Sequence, residues 1–174
     1  MGYALFAAQK INYSNLVFNY QMQLDVISQK MLALTEYAAN IADGSYSIED
    51  YCNSTYSDPS NFVAFNSNQS EYVNAADEKY NLGTIAASNI PDFDESNEEH
   101  QAQYSSIYAS LQDKYAKEYA DQITKQLEVE EHKLELQKNK IETKLTAAQK
   151  QLEQIEQAEG QAIEKATPKY AGLG

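Results

Sequence analysis

The stretch YSNLVFNYQMQLDVISQKMLALTEYAANI, from Tyr13 to Ile41, decides the fold of this chain. Its apolar residues recur at alternating steps of four and three, the seven-residue repeat of a coiled-coil seam. The seam residues are Tyr13, Val17, Tyr20, Leu24, Ile27, Met31, Leu34, Ala38 and Ile41. Gly44 follows and is a natural left-handed helix stop. The pattern predicts one long N-terminal coiled-coil helix within residues 1–43.

A second seam lies near the other end of the chain. Apolar residues spaced by seven form one ladder: Ala120, Leu127, Leu134, Ile141, Ala148, Ile155 and Ala162. A second, partial ladder contributes Leu145 and Leu152. We expect Ser96 to cap this helix, with Glu99 three residues later completing a capping box. A long C-terminal helix over 97–166 and a tail over 167–174 follow. The sequence therefore predicts an all-α fold, a long antiparallel coiled coil of the terminal helices, with Ile41 near Ile123.

The middle, residues 44–96, is acidic and rich in Ser, Asn and Tyr. We predict that it is loop-rich and partly helical, with an apolar run at 62–65 and one short helix near 70–82 that Gly83 ends. The tyrosine stripe over 104–119 is out of phase with the later ladder, so residues 97–120 are expected to pack on something other than the N-terminal helix. We interpret the whole chain as one domain.

The N-terminal helix is also apolar outside its seam. The residues concerned lie among Asn, Gln and Ser and carry no charge: Leu5, Ile11, Leu16, Phe18, Met22, Val26 and Leu32. A helix that is apolar beyond one stripe is expected to be covered on more than one side. We predict that this surface is an assembly interface. A third helix of the same chain is the alternative cover.

Charge excludes one large class of function. The chain of 174 residues has a net charge of −13, and all thirteen of its basic residues are Lys. Acidic charge repels a nucleic-acid backbone, and Arg, the preferred residue for two-point phosphate contacts, is absent. No segment approaches the ~20 consecutive apolar residues of a membrane span. The N-terminus also lacks the basic and apolar regions of a Sec signal.

Residues that could carry chemistry are few. His100 and His132 are the two histidines, and we interpret both as solvated helix surface. A zinc site needs three or four convergent ligands. Cys52 is the single cysteine, with Glu49 and Asp50 nearby, which disfavours a reactive thiolate. We predict no catalytic residue, no cofactor and no metal, and therefore no enzymatic activity.

Seam-patterned, nearly neutral helices at both ends, a polar middle and no Sec signal together resemble flagellin and the filament subunits of type III secretion systems. A charge-poor N-terminus with Gln9, Ile11, Asn12, Ser14 and Asn15 is similar to type III export signals. The resemblance implies a filament core built from the terminal helices and an outward-facing middle. It covers residues 1–43 and about 120–174, in pattern rather than by a specific motif. Pro168 and the Lys- and Glu-rich stretch 125–165 depart from the flagellin pattern.

Three functions remain open from the sequence. The first is a self-assembling filament or surface-appendage subunit, exported outside the cell by a non-Sec route, whose partner is itself. The second is a cytoplasmic coiled-coil adaptor, export chaperone or scaffold that binds a partner helix. The third is a secreted effector or translocator. Concentration-dependent polymers favour the first over the second.

Overall fold

A computed structural model describes residues 2–44 and 59–167. These residues form four helices and no strand: α1 (Gly2–Asp43), α2 (Pro59–Tyr80), α3 (Leu82–Ser88) and α4 (Glu98–Ala166). The long terminal helices α1 and α4 pack against each other, which confirms the predicted all-α fold class. Cys52 and the predicted tail from Pro168 onward lie outside the described residues.

The chain divides into two compact units. The first unit joins Met1–Met31 to His132–Gly174. In this unit the Tyr3 hydroxyl donates to the carbonyl of Ala162 at 3.5 Å, and the Lys10 ammonium donates to Glu159 at 3.0 Å. The beginning of α1 therefore lies beside the end of α4, and the two helices run antiparallel. Ile27 and Ala148 are the buried residues that the described part of this unit contributes to its seam.

The second unit, Leu32–Glu131, contains the end of α1, all of α2 and α3, and the first half of α4. Here the Thr35 hydroxyl donates to Glu131 at 3.5 Å. Helix α2 packs on α4, with the Gln69 amide donating to the Ala116 carbonyl at 3.0 Å. The prediction that residues 97–120 pack on something other than the N-terminal helix is thereby confirmed. The core of the unit consists of Ala33, Ile41, Phe65, Ala76, Leu82, Ala86 and Ile90.

The middle segment is more helical than the sequence predicts. A helix near 70–82 was expected, but α2 begins at Pro59, whose fixed φ suits a first helical position. The apolar run at 62–65 lies inside α2. The break falls at Asn81, which adopts φ 52, and Gly83 lies within α3. The expected stop at Gly83 is wrong, because Asn81 takes the left-handed conformation that Asn tolerates better than most residues.

The start of α4 has a different cap from the predicted one. The Asn97 side-chain oxygen accepts from the backbone N–H groups of Glu99 and His100 at 2.9 and 3.4 Å. Ser96 instead donates its hydroxyl to Asp94 at 2.7 Å. That bond, with the Ser96 backbone N–H, lowers the pKa of the Asp94 carboxyl. Asn97 is therefore the N-cap, since its side chain satisfies the free donors of the first turn.

Two glycines in open space are expected to respond oppositely to Ala. Gly160 lies inside α4 with ordinary helical φ, so Gly160→Ala is expected to stabilise its unit by about 1 kcal/mol. Gly44 has φ +65, a conformation that costs an L-residue roughly 1–2 kcal/mol. Gly44→Ala is therefore expected to destabilise the end of α1. Urea denaturation followed by circular dichroism measures both, and effects of equal sign would contradict the assigned φ values.

Candidate assembly surface

Every seam residue predicted for α1 is buried or half-buried, and together these residues form the inner face of the helix. Ile27 and Ile41 are buried, and the others are half-buried: Tyr13, Val17, Tyr20, Leu24, Met31, Leu34 and Ala38. On α4, the predicted seam residues are half-buried as well: Leu127, Leu134, Ile141, Leu145, Leu152 and Ile155. In each unit, the seam residues of α1 and α4 are buried or half-buried. The candidate surface is therefore sought outside the seam.

The outer face of α1 is apolar and exposed. In the first unit, Ile11, Phe18 and Met22 are 63, 60 and 53% exposed. The steps from one to the next are seven and four residues, so the three side chains lie along one side of the helix. They lie on the side of α1 away from the seam. The seam residue Tyr13 is two positions from Ile11, and Tyr20 is two positions from both Phe18 and Met22. A step of two residues turns an α-helix by about 200°. Leu5 and Val26 flank this stripe and are exposed too. In the second unit, Leu32 is exposed.

Leu16 differs from the other residues predicted for this surface. It is half-buried rather than exposed. Position 16 follows Tyr13 by three residues and precedes Tyr20 by four, so its side chain lies at the edge of the seam. Leu16 therefore belongs with the shielded residues of the first unit, and we remove it from the candidate surface.

Charged groups avoid the outer stripe of the first unit. Asp25 is the one ionisable residue on it, and its carboxylate accepts from the Gln29 amide at 2.9 Å. Lys10 points instead toward α4, where it pairs with Glu159 and Glu156. The hydrogen bond and the charge of Glu159 raise the pKa of the Lys10 ammonium. The stripe itself therefore offers apolar side chains, amides and the single carboxylate of Asp25.

The tyrosine-rich half of α4 is occupied by contacts within the second unit. Tyr115 stacks on Tyr80 with ring centroids 5.7 Å apart, and Phe93 stacks on Tyr104 at 5.5 Å. Tyr108 donates to the Asp77 carboxylate, which raises the pKa of the phenol. Such aromatic pairs contribute about 0.5–1.5 kcal/mol each beyond the area they bury. The sequence signalled the stripe but not its partners, which come from α2 and the loop before α4.

The histidines have different surroundings. His132 is exposed, as predicted, and its Nδ1 lies 3.4 Å from Glu135. His100 is half-buried, accepts the backbone N–H of Asp94 at Nδ1 and stacks on Phe93. Its interpretation as solvated surface is wrong, because the loop before α4 folds back over it. Within residues 2–44 and 59–167, no three metal-ligating side chains come together.

The outer face of α1 is the candidate site because it combines exposure, apolar character and low charge in one line of residues. In the part of the chain that the structure describes, no helix is long and apolar enough to cross a membrane. No protein family, no curated protein and no solved structure matches this chain.

Proposed function

We propose that this chain is a non-enzymatic structural protein that assembles with copies of itself into a helical filament or surface appendage. The observation that carries the proposal is the exposed line of Ile11, Phe18 and Met22 on α1. Scattered apolar side chains are normal on a protein surface, but an aligned set usually marks an interaction site. The resemblance to flagellin supports the same conclusion and carries with it the expectation of a non-Sec export route.

The distribution of charge supports self-assembly. By sequence, the first unit has nine Lys against seven acidic residues, whereas the second has four Lys against nineteen. A nearly neutral unit can approach a copy of itself without a large electrostatic penalty. The second unit carries the acidic excess, and surface charge of one sign favours the solubility of an assembly.

Phe18→Glu is expected to weaken self-association at least about tenfold, since a charge would have to be buried or left facing an apolar partner. Sedimentation velocity over a wide concentration range measures the effect, and negative-stain electron microscopy distinguishes filaments from small closed oligomers. Leu136→Glu is the matched control, because Leu136 is an exposed apolar residue of the first unit that lies on α4. Its association is expected to equal that of the unaltered chain.

Two results would overturn the proposal. A chain that stays monomeric at every concentration would favour a coiled-coil adaptor that uses the same face for a helix of another protein. Equal loss of association in Phe18→Glu and Leu136→Glu would move the contact away from the outer face of α1.

A further inference from the structure

We propose that Tyr80 and Tyr115 form a site of oxidative cross-linking, at which a peroxidase and hydrogen peroxide join the two rings by a carbon–carbon bond. The product is a dityrosine that ties the last residue of α2 to α4 within the second unit. Such a bond restricts the unfolded chain, because it closes a loop between residues 35 positions apart. The inference goes beyond the proposed function and does not depend on self-assembly, since the bond forms within one chain.

The composition of the chain directs one-electron oxidation to tyrosine. Tryptophan and cysteine are the side chains that compete most strongly with tyrosine for such an oxidant. The chain has fourteen Tyr, no Trp and a single Cys. Cysteine oxidation also ends in sulfur products rather than in a bond between rings. Oxidation therefore reaches the tyrosines, and their geometry decides which two of them couple.

The geometry of Tyr80 and Tyr115 favours coupling. Their ring centroids are 5.7 Å apart and their planes differ by 12°, so the rings are stacked. Tyr80 is 46% exposed, which gives an oxidant in solution access to its ring. The exposed Lys79 ammonium lies over this ring, 4.9 Å from the centroid, and is the end of a flexible side chain. Tyr80 can therefore turn until the edges of the two rings meet.

Two other tyrosine pairs of the second unit are less able to couple. Tyr72 and Tyr119 have ring centroids 5.5 Å apart, but the Tyr72 hydroxyl donates to a carboxylate of α4 at 2.7 Å. Tyr104 stacks on Tyr108 at 6.0 Å, but the Tyr108 hydroxyl donates to a carboxylate of α2. Coupling requires stacked or tilted rings to turn edge to edge. A hydroxyl held by a carboxylate opposes that rotation, because a hydrogen bond to a charged group is a strong one.

The reaction balances with hydrogen peroxide as the oxidant. Each hydroxyl gives up one electron and one proton, which leaves a phenoxyl radical spread over the ring. The radicals join through the carbons beside those that carry the hydroxyls. The two ring hydrogens at the new bond then move to the oxygens, which restores both phenols. The two electrons and two protons released reduce one hydrogen peroxide to two waters, so the chain loses two hydrogen atoms in all.

Peroxidase treatment of the full chain tests the inference. Cys52→Ser removes the thiol, and a haem peroxidase with hydrogen peroxide oxidises the protein at low concentration. Trypsin cleaves after lysine, so mass spectrometry is expected to find peptide 80–114 joined to peptide 115–117, lighter than their sum by two hydrogen atoms. Fragmentation is expected to place the bond at Tyr80 rather than at Tyr104 or Tyr108. Dityrosine fluorescence measures the yield.

Matched variants separate the pair from general oxidation. Tyr80→Phe and Tyr115→Phe keep the stacked ring and remove the hydroxyl, and each is expected to lose the joined peptide entirely. Tyr3→Phe is the control, because Tyr3 is 49% exposed but lies in the first unit, so its yield of joined peptide is expected to be unchanged. Circular dichroism of every variant confirms that the helices are retained.

Three results would overturn the inference. The first is oxidised protein in which peptides 80–114 and 115–117 are not joined. The second is a joined peptide that persists in Tyr80→Phe, since the bond would then come from another tyrosine. The third is dityrosine found only in covalent dimers, which would make the reaction a contact between chains. None of these results bears on whether the chain assembles, which sedimentation of the untreated protein decides.

Discussion

Replacing Leu82 by Ala is expected to destabilise the Leu32–Glu131 unit by about 2–5 kcal/mol. Leu82 is 0% exposed, and three of the other buried residues of this unit are alanines: Ala33, Ala76 and Ala86. A core with so many small side chains has little material to fill the space that the substitution creates. A cavity that cannot collapse adds its own cost to the lost burial of the leucine side chain.

Leu32→Ala is the matched control for this prediction. It makes the same change in the same unit, at a residue that is 61% exposed on α1. Urea unfolding followed by circular dichroism, at a protein concentration too low for association, is expected to give a free-energy change within about 0.5 kcal/mol of zero for Leu32→Ala. Equal effects of the two substitutions would contradict the position of Leu82 in the core of the second unit.

The terminal helices could be predicted because their signals are local in the sequence. The spacing from Tyr13 to Ile41 gives the buried face of α1 directly, and Gly44 adopts the left-handed φ expected of a helix stop. The ladder through Ala148 identifies the inner face of α4 in the same way. A seven-residue repeat depends on neither a partner nor a distant contact, so it can be read from one sequence.

The middle helices could not be predicted fully because contacts distant in sequence stabilise them. Helix α2 contains Ser60, Ser67, Asn68 and Ser70, residues that favour caps and turns over helix interiors. Its position depends on α4, through hydrogen bonds such as that from Gln69 to Ala116, 47 residues away. Tertiary packing overrides weak propensity here, and a pattern of single residues does not contain that information.

The position of the α2–α3 break has a similar origin. The Asp77 carboxylate accepts from the Leu82 backbone N–H at 3.2 Å and from the Tyr108 hydroxyl. Gly83 lies so close to Tyr104 that an added Cβ would be 2.9 Å from its hydroxyl oxygen. The glycine is therefore explained by a close approach of α4 rather than by a helix stop. Only the three-dimensional arrangement distinguishes these two roles of glycine.

The exposure of the outer face of α1 could be predicted in outline, but the edge of that face could not. Ile11, Phe18 and Met22 are exposed, whereas Leu16 is half-buried. From the sequence alone, Leu16 cannot be distinguished from the other apolar residues outside the seam. A supercoiled pair shields the positions beside its seam as well, and the extent of that shielding depends on how closely α1 and α4 approach.

Ala148→Glu is expected to destabilise the first unit by about 2–4 kcal/mol, because the larger side chain overpacks the seam and its carboxylate loses hydration. Ala148 is 5% exposed and lies on the α4 ladder that faces α1. Thermal unfolding by circular dichroism measures the loss, and hydrogen exchange of the α1 amides locates it.

Ala147→Glu is the control, because it makes the same substitution one residue earlier on α4. Ala147 is exposed, and Glu is a good helix former, so this change is expected to stay within about 0.5 kcal/mol of zero. The contrast separates the effect of the seam from the effect of an added negative charge on α4.

If both variants lost the same stability, charge would be responsible, and the antiparallel pairing of α1 with α4 would not be what stabilises the first unit. A large loss confined to Ala148→Glu would instead establish that the inner face of α1 is fully used within one chain. Only its outer face, with Ile11, Phe18 and Met22, would then be left for a second copy.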